Sequence, residues 1–175
     1  MNTIILAAGK GKRLCSVEPD VPKPMVSIGG KPVLEHTLEH MNMLGVRRVT
    51  ITLGHLGDVI MDHFKFKHSG IDIHYAIEKE ELGTAGGAKH AALASSDTVL
   101  VWYGDNFSTI DLFRMLSYHI NTRSDATIAV HWRSGVAASG VYGCLRNAAH
   151  RGGTPVPLIR KLPGCSEDEA QRIFA

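Results

Sequence analysis

The stretch that decides the fold is Leu6-Ala7-Ala8-Gly9-Lys10-Gly11-Lys12-Arg13-Leu14, which closes an apolar run. Residues 2–7 predict a buried strand of a parallel sheet. The small residues after this strand let the backbone turn sharply and expose several N–H groups. Three cations, Lys10, Lys12 and Arg13, lie on the same loop. A glycine-rich, cationic turn at the carboxyl end of a strand is what a polyphosphate requires.

Two familiar phosphate loops do not match this chain. A dinucleotide fingerprint would need a third glycine where Leu14 stands. A Walker loop fails because Pro32 follows Gly30-Lys31 and Met25 occupies the place of its first glycine. An ordinary strand-to-helix turn with solvated lysines is the simpler alternative for residues 6–14.

The composition excludes several classes of protein. The 175 residues are 44% hydrophobic, enough for one core and most simply for one domain over residues 1–175. A net charge of +2 with ten histidines favours neither a nucleic-acid nor a membrane partner. No apolar stretch reaches membrane-spanning length, and the first residues predict a strand. The three scattered cysteines, Cys15, Cys144 and Cys165, indicate a reducing cytoplasm. The sequence does not decide whether the protein forms a homo-oligomer.

Predicted strands and helices alternate along the chain. The strands are residues 2–7, 48–53, 71–77, 98–103 and 127–132, and the helices are residues 33–45, 57–66, 85–94 and 110–121. This order predicts an α/β fold with a doubly wound sheet and helices on both of its faces. Ligands of such sheets bind beyond the carboxyl ends of the strands.

An acidic and glycine-rich segment, Glu78-Lys79-Glu80-Glu81-Leu82-Gly83-Thr84-Ala85-Gly86-Gly87, follows the strand at residues 71–77. Gly83 and Thr84 open a helix, so free N–H groups and a hydroxyl point toward the same rim as the first loop. Glu78 could accept two hydrogen bonds from the edge of a nucleobase. The alternative is an acidic, solvated turn.

A second acidic group follows the next strand, in Tyr103-Gly104-Asp105-Asn106. A carboxylate directly after a buried strand is well placed to hold Mg²⁺ against phosphate oxygens. The alternative for Asp105 is an Asx-turn or a helix cap.

Five motifs in this order resemble the sugar-1-phosphate nucleotidyltransferases, the NDP-sugar pyrophosphorylases. They are residues 6–13, Pro22-Lys23-Pro24-Met25, Gly29-Gly30-Lys31-Pro32-Val33, residues 78–87 and residues 103–106. The resemblance covers residues 2 to 132 and implies a Rossmann-like mixed sheet of the nucleotide-diphospho-sugar transferase type. It also implies that an NTP and a sugar 1-phosphate are joined with release of pyrophosphate.

The resemblance also assigns roles to individual residues. Arg13 would clamp the triphosphate, Lys23 would stabilise charge on the α-phosphorus, and Asp105 would carry Mg²⁺. The residues implied in nucleotide binding are Leu6, Ala7, Ala8, Gly9, Gly11, Lys12, Glu78, Gly83 and Thr84. Such chemistry needs positioning and charge neutralisation, and no covalent nucleophile.

Glu78 stands at the family's base-reading position, where several members carry Gln. A carboxylate pairs with the N1–H and N2–H₂ donors of guanine, whereas a pyrimidine offers a single donor on that edge. We therefore expect GTP as the NTP, with mannose 1-phosphate or a heptose 1-phosphate as acceptor. A pyrimidine N3–H read by Glu78 is the alternative.

His36-Thr37-Leu38-Glu39-His40 matches an inverted zinc-protease pattern. A polar helix face is the better interpretation, because catalytic zinc needs a third ligand and an open position that the sequence does not supply.

The resemblance weakens after residue 140. Gly140 is the expected sugar contact. We divide the domain into a nucleotide-binding core (1–140) and a divergent or incomplete sugar-binding part (141–175). The relatives' Glu-Lys-Pro has only Lys161-Leu162-Pro163 as counterpart, and a second metal-binding aspartate is missing. We expect either a C-terminally truncated enzyme, with a local frame error after Tyr142, or a shortened nucleotide-sugar-binding regulatory module.

Overall fold

The structure, a computed structural model, describes residues 2–10, 20–92 and 98–129, together with the backbone of residues 142–149 and 155–161. The chain divides into two compact units, Met1–Phe113 and Arg114–Ala175. Within the described ranges, no helix is both long enough and apolar enough to cross a membrane.

The first unit alternates strands and helices as predicted. Its elements are β1 (Asn2–Leu6), a 3-10 turn (Lys23–Met25), β2 (Ser27–Ile28), β3 (Lys31–Pro32), α1 (Val33–Met43), β4 (Arg48–Leu53), α2 (Gly57–Phe64), β5 (Lys67–His68), β6 (Ile71–Ile77), α3 (Gly83–Ala91) and β7 (Val99–Tyr103), and α4 (Leu112–Thr122) begins at its end.

The central sheet has five strands in the order β5-β6-β4-β1-β7. Strands β6, β4, β1 and β7 run parallel, and β5 pairs with β6 antiparallel. The chain moves outward from β1 through β4 to β6 and then returns to the other side of β1 with β7. The sheet therefore changes its winding direction between β1 and β7, where α/β sheets of this kind form a crevice.

The core lies on one face of this sheet. Alternate strand residues and apolar positions of α1 and α2 form one buried cluster, in which the fully buried members include Ile5, Ile51, Leu53, Leu34, Leu38, Ile60 and Phe64. The i, i+4 spacing of Leu34 and Leu38 puts both on the sheet-facing side of α1. Burial of this face is what holds the helices on the sheet.

Helix α3 packs on the opposite face. Successive side chains of a strand point to opposite faces, so Leu6 faces away from the cluster that contains Ile5. A methyl group built at Gly87 of α3 would lie 3.6 Å from Leu6 Cδ2, which brings α3 to the face of Leu6. The predicted mixed sheet with helices on both faces is therefore confirmed.

One predicted element is wrong in its described part. Residues 127–129 of the expected strand 127–132 have no strand conformation, and residues 130–132 lie outside the described part of the chain. Thr127 Oγ1 instead lies 3.0 Å from Nδ1 of His119 in α4, and Ile128 is 49% exposed. A short apolar alternation is a weak strand signal, because strand propensity depends on packing against neighbouring strands and on burial.

The second unit contains an antiparallel pair that the sequence did not predict. Strands β8 (Tyr142–Ala149) and β9 (Pro155–Lys161) pair with each other, and their register shifts between Leu145 and Ala148.

Candidate active site

A cleft of about 240 Å³ opens at the carboxyl ends of β1, β4, β6 and β7. Nine of the residues expected at the site line it: Leu6, Ala7, Ala8, Gly9, Lys23, Glu78, Gly83, Thr84 and Asp105. They come from four separate segments of the first unit: the glycine-rich loop, the turn at Lys23, the acidic segment 78–87 and the turn at Asp105. The expected residues Gly11, Lys12, Arg13 and Gly140 lie outside the described residues.

The start of the glycine-rich loop is tied to its neighbours. The Ala7 N–H donates to Thr52 Oγ1 at 3.1 Å, and the Gly104 N–H donates to the Leu6 carbonyl at 2.9 Å. Gly54 approaches the same loop so closely that a Cβ there would lie 2.5 Å from the Ala8 carbonyl oxygen. The loop therefore leaves the sheet in one defined direction.

Lys23 is held by a tight turn between two prolines. Pro22 and Pro24 flank it, Pro24 is buried, and the Met25 N–H donates to the Pro22 carbonyl at 2.7 Å. Lys23 Nζ lies 3.4 Å from Asp105 Oδ2, and about a third of each side chain is exposed (32% and 38%). The two charges belong to segments 82 residues apart, so the fold brings them to one place.

Glu78 is oriented by Leu82, the residue that precedes α3. Its Oε2 accepts a hydrogen bond from the Leu82 N–H at 3.3 Å. A methyl group built at Gly87 would lie only 2.6 Å from Oε1 of Glu78, so the glycine leaves room for the carboxylate. Gly83 starts the helix at φ +70°, a conformation that favours glycine.

The entrance to α3 also faces the glycine-rich loop. The N–H groups of a helix's first turn have no partner within the helix, which makes its N-terminus attractive to anions. Glu81 Oε2 lies 3.9 Å from Lys10 Nζ on the loop, with both side chains more than half exposed. Such an exposed pair contributes little to stability, and a competing anion can displace it.

Four further residues line the cleft without having been expected at the site. They are Pro24, Thr52, Glu81 and Tyr103. Tyr103 directly precedes the Gly104-Asp105 turn, and Glu81 lies within the acidic segment. Their closeness to these motifs could have identified both as site residues from the sequence. For Thr52 the sequence holds no distinguishing signal, because it is one of two threonines in β4 and its complete burial is visible only in the structure.

The histidine motif of α1 has structural partners. His36 Nε2 donates to the Ile28 carbonyl at 2.7 Å, and Lys31 Nζ lies 2.5 Å from Glu39 Oε1. This hydrogen bond lowers the pKa of Glu39 and raises that of Lys31. In the described ranges, no cluster of three or more His, Cys, Asp or Glu residues is arranged to hold a metal ion.

The sheet order and the cleft at its winding switch define a doubly wound α/β protein with a ligand crevice at the usual position. The chain belongs to the nucleotidyl transferase family, whose family model matches residues 2–152. The resemblance to the sugar-1-phosphate nucleotidyltransferases is thereby confirmed.

Individual relatives agree with this membership. The chain is 37% identical over 131 residues to a D-glycero-alpha-D-manno-heptose 1-phosphate guanylyltransferase of Aneurinibacillus thermoaerophilus, covering 74% of this chain and 57% of the relative. It is 32% identical over 154 residues to the UTP–glucose-1-phosphate uridylyltransferase AglF of Haloferax volcanii, covering 82% of this chain and 62% of the relative. The chain thus spans little more than half the length of these proteins.

A solved structure also matches. HddC of Yersinia pseudotuberculosis shares 34% identity with a TM-score of 0.62, over 69% of this chain and 54% of HddC. HddC has also been crystallised in complex with GMP-PN.

Proposed function

We propose that this protein transfers a nucleotidyl group from an NTP to a sugar 1-phosphate and releases pyrophosphate. The observation that carries the proposal is the convergence of Lys23 and Asp105, 3.4 Å apart, beside the glycine-rich loop at the switch of the sheet. A cation and a carboxylate at this distance can serve one polyphosphate, the cation directly and the carboxylate through a metal ion.

The reaction asks the protein to hold two anionic substrates together and to neutralise charge. The sugar phosphate oxygen attacks the α-phosphorus and pyrophosphate leaves, so the bond to the new oxygen forms as the bond to pyrophosphate breaks. In the proposed reaction, Lys23 stabilises the negative charge that builds up on the α-phosphate. The backbone from Leu6 to Gly9 and the N-terminus of α3 line the cleft. We propose that both bind the nucleotide.

Mg²⁺ is the proposed cofactor, with Asp105 as its protein ligand. One carboxylate is a sparse donor set, but Mg²⁺ commonly keeps several waters and uses one or two carboxylates together with substrate phosphates. A partly exposed carboxylate at the cleft fits that pattern. When bound, the ion supplies charge neutralisation at the phosphate oxygens. Before a triphosphate enters, Lys23 partially compensates the charge of Asp105.

GTP is the proposed NTP. The Glu78 carboxylate offers two acceptor oxygens at the mouth of α3, and guanine presents two donors on the edge that would face it. The Aneurinibacillus relative is a guanylyltransferase and HddC was crystallised with GMP-PN, whereas AglF is a uridylyltransferase. We propose mannose 1-phosphate or a heptose 1-phosphate as the acceptor.

Pyrophosphate release tests the reaction directly. The protein is incubated with Mg²⁺, either sugar 1-phosphate, and GTP, UTP, dTTP or CTP in turn. Lys23→Met and Asp105→Asn should each lower turnover by about 10²–10³-fold, the usual loss for a charge-stabilising contact. Lys67→Met and Asp72→Asn are matched controls, because they break another Lys–Asp pair, 3.9 Å apart on the sheet edge. If the protein bound nucleotide but released no pyrophosphate, the result would contradict the transfer reaction and favour a regulatory module.

The base preference has its own test. Glu78→Gln exchanges one acceptor for a donor, so we expect kcat/KM for GTP to fall by about tenfold or more. Turnover with UTP, dTTP and CTP should change less. A clear preference of the unmodified protein for a pyrimidine NTP would contradict the guanine proposal and leave the transfer reaction standing.

A further inference from the structure

The loop that carries Asp105 is anchored on both sides of the aspartate. Before it, the Gly104 N–H donates to the Leu6 carbonyl at 2.9 Å. After it, the Asn106 carbonyl oxygen accepts two hydrogen bonds, from Trp102 Nε1 at 3.0 Å and from Thr37 Oγ1 at 3.4 Å. The backbone at Asp105 is therefore held by β1 on one side and by β7 and α1 on the other.

The two donors to Asn106 are buried. Thr37 of α1 is 1% exposed and Trp102 of β7 is 8% exposed. Both hydrogen bonds are partly shielded from solvent. A shielded hydroxyl or indole N–H that lost its acceptor would be costly, so these donors favour the loop position that satisfies both. The carbonyl of Asn106 has two lone pairs, and the pair of donors matches them.

The same helix contacts the segment that follows Lys23. His36 donates to the carbonyl of Ile28, five residues beyond Lys23. The ring of His36 also lies edge-on to Phe107 with the centroids 6.0 Å apart, and His40 contacts Phe107 similarly at 6.2 Å. One face of α1 thus touches both the chain that follows Lys23 and the chain that follows Asp105.

We propose that Thr37 and Trp102 are positioning residues, which set the place of the Asp105 carboxylate opposite Lys23 through the Asn106 carbonyl. The proposal rests on the proposed function, because the carboxylate is positioned for a metal–triphosphate. It also gives the histidine motif of α1 a role: His36 and His40 hold Phe107 at the edge of this loop. The motif supports the site from behind and does not touch the reacting atoms.

Hydrogen exchange measures the positioning without any substrate. Thr37→Val removes the hydroxyl at nearly constant volume, Trp102→Phe removes the indole N–H, and Thr37→Ser retains a hydroxyl. We expect amide exchange in a peptide over residues 103–108 to accelerate about three- to tenfold in the first two variants, as the loss of one hydrogen bond implies. Exchange in β4 should not change, and Thr37→Ser should behave like the unmodified protein.

A matched control is available in β1. Thr3 is 3% exposed, and its hydroxyl has no hydrogen-bond partner in the described part of the chain. Thr3→Val therefore makes the same chemical change at another buried threonine without breaking a bond to the loop. We expect it to leave exchange over residues 103–108 unchanged.

A second measurement ties the loop to the site. Mn²⁺ is titrated into nucleotide-loaded protein and followed by electron paramagnetic resonance, and turnover is measured in parallel. Thr37→Val and Trp102→Phe should raise the Mn²⁺ concentration needed for half-saturation about three- to tenfold and lower kcat, with the KM of the sugar 1-phosphate nearly unchanged. Thr37→Ser should restore both values.

The outcomes separate the two proposals. Unchanged exchange at the loop in both Thr37→Val and Trp102→Phe would overturn the positioning role, as would a uniform increase in all peptides. Faster exchange confined to the loop, with unchanged Mn²⁺ binding, would overturn the link between the loop and the carboxylate. If the unmodified protein released no pyrophosphate while the loop still responded, the proposed reaction would fail and the anchoring by Thr37 and Trp102 would stand.

Discussion

Replacing Gly54 by alanine should displace the glycine-rich loop from behind. The added methyl group would lie 2.5 Å from the Ala8 carbonyl oxygen and 3.3 Å from both its carbonyl carbon and its Cα. All three are backbone atoms, so no side-chain rotation can relieve the contact. An ordinary contact distance would require the loop and the end of β4 to separate by roughly 1 Å.

The size of the effect follows from this overlap. Forced overpacking costs about 1–3 kcal/mol in a well-packed region. At about 2 kcal/mol, the Tm of a protein of this size should fall by about 4–8 °C. The displacement also moves the backbone that we propose to lie against the nucleotide. We therefore expect weaker nucleotide binding in Gly54→Ala in addition to the loss of stability.

Gly9 supplies the control, since it belongs to the same loop. Among the described residues, a Cβ at Gly9 would have no atom within 4 Å, and the φ of Gly9 is not in the left-handed region. Urea unfolding, followed by circular dichroism, should show a lower midpoint for Gly54→Ala with an unchanged slope, and little change for Gly9→Ala. Calorimetric titration with GTP gives the binding constants. Equal stability of the two variants, with unchanged nucleotide binding in Gly54→Ala, would refute the steric argument.

Two other substitutions test the supports of the site. Thr52→Val leaves the buried Ala7 N–H without its acceptor, so it should lower the free energy of unfolding by about 1–3 kcal/mol and weaken nucleotide binding. Thr52→Ser keeps the hydroxyl and should bind nucleotide like the unmodified protein. Equal binding by both variants would show that this hydrogen bond does not shape the loop. Glu39→Gln removes the nearer of the two carboxylates that pair with Lys31, since Glu35 lies 3.9 Å from the same ammonium. The pKa of Glu39 is lowered in the folded protein, so the ionised carboxylate stabilises the fold above its ordinary pKa of 4.5. This stabilisation disappears as the pH falls below that value. The urea midpoints of Glu39→Gln and of the unmodified protein should therefore differ at neutral pH and converge in acid.

The position of the cleft could be predicted from the sequence because each motif directly follows a strand. Parallel strands bring their carboxyl ends to one edge, so the loop after β1, the acidic segment after β6 and the turn after β7 had to meet there. The structure places Gly9, Glu78 and Asp105 around one cleft accordingly. What the sequence could not supply was the register between strands.

Thr52 shows why register matters. Its hydroxyl meets the Ala7 N–H because β4 pairs with β1 such that Ile51 lies opposite Ile5 and Thr52 opposite Leu6. A shift by one residue would turn Thr52 to the other face, because side chains alternate along a strand. Local pattern decided that residues 48–53 form a strand, and only the tertiary pairing decided which of them supports the loop.

The histidine motif of α1 shows most clearly the difference between what local sequence pattern predicts and what tertiary pairing decides. Spacing of four residues correctly predicts that His36 and His40 share one helix face. Their common partner, Phe107, comes from a loop about seventy residues later, brought there because β7 returns to the far side of β1. Helix α1 thereby contacts the chain next to both Lys23 and Asp105, whose separation governs the proposed reaction. A sequence could therefore retain every charged residue of the motifs and still lose the site, if substitutions on this face of α1 moved one segment relative to the other.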